Sequence, residues 1–90
     1  MRVVLRGISA LRGQGECIDM EMAEGATLGD LLRQLLKDNP DLNTTWNSVE
    51  TIERNALVMK NNVDIALAGG LSAKLEEKDR IDIVPLVHGG

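Results

Sequence analysis

The stretch Thr27-Leu28-Gly29-Asp30-Leu31-Leu32-Arg33-Gln34-Leu35-Leu36-Lys37-Asp38-Asn39-Pro40 decides the fold. Leu28, Leu31, Leu32, Leu35 and Leu36 recur at i, i+3, i+4, i+7 and i+8, which places them on one stripe of a helix. Thr27 stands at the N-cap. Asp30 takes the position of a capping-box acid and favours the positive end of the helix. Lys37 falls in the last turn, and Asn39-Pro40 stops the helix. Gly29 weakens the first turn by up to ~1 kcal/mol relative to alanine. A leucine stripe this regular is a core face rather than an open groove. One stripe calls for one sheet face to cover it.

The flanking chain supplies the strands. Arg2 to Gly7 reads as a first strand, with Val3 and Leu5 on one side and Arg2, Val4 and Arg6 on the other. Ser9 to Gly15 reads as a hairpin loop. The run from Glu16 to Met22 alternates, with Ile18, Met20 and Met22 inward and Cys17, Asp19 and Glu21 outward. Residues 40–55 are polar, with Leu42, Trp46, Val49 and Ile52 as anchors and a short helix near 47–53. Trp46 is read as a lid on the core.

Leu57 to Lys60 forms a third strand, and Asn61-Asn62 a tight turn, because asparagine tolerates left-handed φ. Val63, Ile65 and Leu67 alternate as a short strand. Gly69-Gly70 turns the chain, Leu71 to Leu75 is short and irregular, and Glu76 to Asp79 makes a charged turn. Arg80 to Val84 is the last strand, with Ile81 and Ile83 inward. Pro85 lacks an N–H and marks the end of sheet pairing. The fold class is therefore α+β: one main helix packed across a mixed four- to five-stranded sheet, with the first and last strands parallel neighbours.

Composition narrows the function. Ninety residues make one domain with a modest core. Residues 1–84 form the body and 85–90 a thin flexible tail. No apolar run approaches the ~20 residues of a membrane span. The start, Met1 to Arg6, is too short and charged for a signal peptide. One cysteine suits a reducing cytoplasm and excludes an internal disulfide framework. One histidine with one cysteine argues against an all-protein zinc site, so no metal is expected. A net charge of -4 with one aromatic residue argues against nucleic acid. It suits a basic surface on a protein partner. No nucleophile–base pair is evident, which argues against an independent enzyme.

The tail is Pro85-Leu86-Val87-His88-Gly89-Gly90. Two residues without Cβ make the thinnest backbone available. Fully extended, the tail reaches roughly 17 Å, enough to carry the carboxylate of Gly90 into another protein's site. A terminal Gly-Gly arises by chance in roughly one chain in 200, so it gains weight only behind a small domain that ends in a strand.

Together the hairpin, the helix opening Thr27 to Leu32, the Gly69-Gly70 turn, the Asp79-Arg80-Ile81 lead into the last strand and the Gly89-Gly90 end resemble the MoaD/ThiS family. These are ubiquitin-like β-grasp sulfur carriers, and the resemblance covers nearly the whole chain. Residues 67–90 look most like molybdopterin-synthase small subunits and the tRNA-thiolation modifier.

The resemblance implies that a ubiquitin-activating-type partner enzyme uses ATP and magnesium to adenylate Gly90. A sulfur donor then converts it to a thiocarboxylate, with molybdopterin biosynthesis as the leading pathway. Thiamine and tRNA thiolation are further pathways of the family, and archaeal small modifiers instead form isopeptide bonds to lysine. No cofactor is bound by the carrier itself, and a large synthase subunit is a second expected partner. Gly89, His88, Val87, Leu86 and Pro85 are the expected partner contacts. His88 is read as a contact rather than an acid–base catalyst, and Cys17 as structural rather than a sulfur relay. Val4, Val84 and Leu86 are candidates for an exposed apolar patch. Lys37, Lys60, Lys74 and Lys78 read as solvated charges.

Overall fold

The computed structural model describes residues 1–6, 17–40 and 48–85. Among them, five strands form one sheet in the order β2-β1-β5-β3-β4. The strands are β1 (Arg2–Arg6), β2 (Cys17–Glu21), β3 (Ala56–Lys60), β4 (Val63–Asp64) and β5 (Arg80–Pro85). Two helices, α1 (Leu28–Asp38) and α2 (Val49–Asn55), accompany the sheet. β1 pairs antiparallel with β2 and parallel with β5, and β5 pairs antiparallel with β3. The expected α+β arrangement of one main helix on a mixed sheet is the one observed.

The core lies between α1 and the inner face of the sheet. Leu28, Leu31, Leu32 and Leu35 are fully buried, and Leu36 is nearly so. They meet Val3 and Leu5 of β1, Val58 of β3 and Ile81 and Ile83 of β5, all buried. The alternation expected of β1 and β2 holds: Val3, Leu5 and Met20 are buried, Ile18 and Met22 are partly buried, and Cys17, Asp19 and Glu21 are exposed.

Local bonds set the ends of α1. The Thr27 N–H donates to Asp30 Oδ2 (3.0 Å), and the Asp30 N–H donates to Thr27 Oγ1 (3.2 Å), completing the capping box. At the other end the N–H and Nδ2 of Asn39 both donate to the Leu35 carbonyl. Gly29 has a reason to be small. A Cβ there would stand 3.2 Å from the Leu71 carbonyl oxygen, where the segment after the Gly69-Gly70 turn crosses the helix. That segment is tied down by Leu28 N–H to Ala73 O and Leu75 N–H to Ala26 O.

Several boundaries differ from expectation. The short helix sits at 49–55, two residues later, because Ser48 caps it by accepting from the Thr51 N–H. The alternation Val63-Ile65-Leu67 is not a strand. β4 stops at Asp64, whose Oδ1 accepts from the Ala66 N–H and bends the chain into a 3₁₀ turn over Ile65–Leu67. Ile65 is buried, whereas Val63 and Leu67 are exposed. Asn61 and Asn62 both take positive φ, as the tight-turn reading requires, and so do Gly69 and Gly70. Trp46 and the 9–15 loop lie outside the described residues.

Two outcomes follow. Leu32→Ala removes a fully buried side chain from the centre of the stripe and is expected to cost about 2–5 kcal/mol, read as a lower urea midpoint with little change in m. The Asp30 carboxylate is held below its ordinary pKa by the Thr27 N–H first and then by Arg33. Its folded pKa lies below the unfolded value of about 3.9, so its stabilising contribution is present above that pH and fades as pH falls through the folded value. The gap in urea midpoint between the wild type and Asp30→Asn should therefore close in acid. A constant gap would contradict it.

Candidate functional site

The tail begins where β5 ends, so the site is built from what holds β5. The strand is central, with β1 on one side and β3 on the other. The Val4 N–H donates to the Asp79 carbonyl (2.9 Å), which sets the phase of the parallel ladder. In that phase the odd-numbered residues of β5 turn their N–H groups toward β1. Pairing with β1 covers Arg80 to Asp82, whereas pairing with β3 continues to Ala56↔Pro85. The missing N–H of Pro85 thus falls on the side where the described part of β1 has already ended. The strand runs one residue further than the Arg80–Val84 expected.

Of the tail residues, the backbone of Pro85 is placed, paired with Ala56. Leu86, Val87, His88, Gly89 and Gly90 lie outside the described residues.

Around this exit the outer sheet face mixes apolar and charged groups. Val84 is 44% exposed and sits opposite the half-buried Leu57, and Val4 is partly exposed on β1. The Asp82 carboxylate lies between two guanidinium groups, 3.6 Å from Arg6 Nε and 3.2 Å from Arg80 Nε. Cys17 is free and exposed at the start of β2, opposite Arg6. Among the described residues, no group of three or more His, Cys, Asp or Glu side chains is placed to hold a metal ion. No described helix is long and apolar enough to cross a membrane.

The lead into β5 is fixed by Asp79. The residue is 6% exposed, and its carboxylate accepts from Asn61 Nδ2 (2.9 Å) and from the Glu76 N–H (2.8 Å), with Lys60 Nζ at 3.5 Å. Asn61 completes the clamp: its Oδ1 accepts from the Arg80 N–H and its own N–H donates to the Arg80 carbonyl. The β3–β4 turn is thereby bonded to the first residue of β5. The charged turn expected over Glu76 to Asp79 is present, with Asp79 buried at its end. One sequence expectation is corrected here: Lys60 is the partner of Asp79 rather than a solvated surface charge. Lys37, Lys74 and Lys78 are exposed as expected.

The model of the ThiS family matches residues 14–90. The chain belongs to the ThiS family.

It is similar to several further proteins. Ubiquitin-related modifier 1 homolog 2 of Arabidopsis thaliana is 34% identical over 68 residues, 71% of this chain and 66% of that protein. SAMP1 from Haloferax volcanii superposes with a TM-score of 0.78 at 18% identity, covering 100% of both chains. A chain of the complex of subunits 1 and 2 of molybdopterin-converting factor from Helicobacter pylori superposes with a TM-score of 0.64 at 21% identity, again covering 100% of both. At these structural identities the likeness is one of fold, and the fold is the β-grasp expected from the sequence.

Within this ThiS-family chain, Asp79 and Asn61 are what sequence reasoning missed. The sequence reading of Asn61-Asn62 as a tight turn placed the asparagine but not its bonds to Asp79 and Arg80. A double-mutant cycle of Asp79→Ala and Asn61→Ala should show a coupling of about 0.5–3 kcal/mol in unfolding free energy, because each removes the other's partner. Additive effects would show that the clamp is not formed in solution.

Proposed function

We propose that this protein carries sulfur on the carboxylate of Gly90. A ubiquitin-activating-type enzyme uses ATP and magnesium to adenylate it, and a sulfur donor displaces AMP to leave a thiocarboxylate. What supports this reading is the ThiS family match, which runs to residue 90. An α-carboxylate has a pKa of about 3.3–3.7 and is a poor electrophile near neutrality. Adenylation supplies the leaving group that the carboxylate lacks. The resulting sulfur is a better nucleophile than the original oxygen.

The protein is then substrate and carrier, and the catalysis belongs to its partner. Gly89 and Gly90, lacking Cβ, thread a narrow site. His88, Val87, Leu86 and Pro85 are the contacts the partner makes along the way. The apolar part of the outer face, Val4, Val84 and Leu57, lies beside the exit of β5 and suits the same partner. The acceptor proposed first is a molybdopterin precursor, with a large synthase subunit as a second partner. The resemblance of residues 67–90 to molybdopterin-synthase small subunits supports that choice. A second reading is favoured by the 34% identity with the Arabidopsis ubiquitin-related modifier. In it Gly90 is joined to lysines by isopeptide bonds or passes sulfur to tRNA.

The test is intact mass after co-expression with the activating enzyme. Thiocarboxylation is expected to add the mass difference between one sulfur and one oxygen. Deleting Gly89-Gly90 should abolish that gain while leaving the unfolding midpoint unchanged. Gly-Gly remnants on the lysines of other proteins would favour the second reading. A truncated chain that still complements its pathway would refute both.

A further inference from the structure

At the edge of the sheet two strands away from β5, β2 has no strand beyond it among the described residues. The Met22 N–H donates to the Met1 carbonyl (2.8 Å), so even-numbered residues turn their backbone groups toward β1. The N–H and C=O groups of Asp19 and Glu21 therefore point outward, in the position that templates another strand. Both residues are exposed.

Beside this edge runs a groove between β2 and α1. One part, of about 550 Å³, is floored by Met22, Ala23 and Ala26. A second part, of about 310 Å³, lies over Ile18 and Met20. Glu21 and Gln34 line both, so the two parts are continuous. Ile18 and Met22 are only partly covered by the protein's own core.

The charge of the groove selects its occupant. Asp19, Glu21 and Glu24 stand on the strand side, and Asp38 at the far end accepts from Gln34. Of the two cations on the helix side, Arg33 is held 2.7 Å from Asp30, which leaves Lys37. Glu21 has the Met1 ammonium at 3.2 Å, yet its side chain is 73% exposed. The balance is acidic. A second copy of this chain added antiparallel would set these carboxylates against each other, a destabilising arrangement across strands.

We propose that this groove takes an extended segment of a partner protein in which basic and apolar side chains alternate, added as a further strand beside β2. Its backbone bonds the outward groups of Asp19 and Glu21. Its basic side chains lie across from those two carboxylates on the outer face. Its apolar side chains fill the groove over Ile18 and Met22, against the stems of Gln34 and Lys37. β2 runs antiparallel to β1 and β5, so the tail leaves at the Cys17 end of the sheet. The groove extends from Ile18 toward Ala26, away from that end. Both surfaces can therefore be occupied together, and this inference stands independently of the chemistry at Gly90.

The experiment uses the full chain, nitrogen-labelled, titrated with a capped synthetic peptide of alternating lysine and valine and with its glutamate–valine counterpart. The lysine peptide is expected to slow amide exchange at Asp19 and Glu21 by about tenfold or more. The glutamate peptide should bind at least about tenfold more weakly. Asp19→Lys combined with Glu21→Lys, both exposed, should invert that preference. Asp19→Pro removes an outward donor without touching a bond to β1 and should abolish binding. Any of four results overturns the proposal: no binding at millimolar peptide, shifts without slowed exchange at these two amides, a preference unchanged by the lysine pair, or slowed exchange that appears with protein concentration alone. The last would identify a second copy as the occupant.

Discussion

Burial of one leucine stripe against alternate residues of β1 and β5 is the contact on which the molecule depends. β1 and β5 come from opposite ends of the chain, and their parallel pairing places Leu5 beside Ile81. α1 lies over that pair with Leu28, Leu31, Leu32 and Leu35 fully buried. Each such side chain contributes about 1.5–3 kcal/mol relative to exposure, so the stripe is comparable with the whole net stability of a small domain. Without it there is no surface to hold the two chain ends together.

That arrangement suits the work of the ThiS family. The strand that leads to the tail is central, and among the described residues it is paired on both sides at Arg80 to Asp82 and with β3 as far as Pro85. Asp79 and Asn61 fasten its beginning. The outer face near the exit and the groove at β2 then form separate surfaces of different character, one apolar around an Arg6–Asp82–Arg80 cluster, the other acidic.

Legibility varied with the range of the interactions. The α1 boundaries were readable because Thr27, Asp30 and Asn39 act within four residues of their partners. The β1 and β2 faces were readable because alternation is a property of neighbours. Val63-Ile65-Leu67 misled because the same pattern fits a chain leaving the sheet, and the Asp64 cap decided the matter. Gly29 looked like a weakness and is instead a point of close approach to Leu71. Of the candidate site, Pro85 is placed on a rung with Ala56, and the readings made on residues 86–90 lie outside the described residues.

By itself, the sequence determined the helix, its buried stripe, the strand faces, the Asn61-Asn62 turn and the ThiS-family character. All of these rest on periodicity, capping or motif. The tertiary structure decided that Asp79 is buried and clamped by Asn61, that Lys60 serves it, that Pro85 pairs with Ala56, and that β2 is an acidic edge with no strand beyond it among the described residues. Asp79 and Lys60 are 19 positions apart in the chain yet their charged atoms stand 3.5 Å apart. No local propensity encodes such a meeting. It exists because packing of the leucine stripe brings distant strands into register.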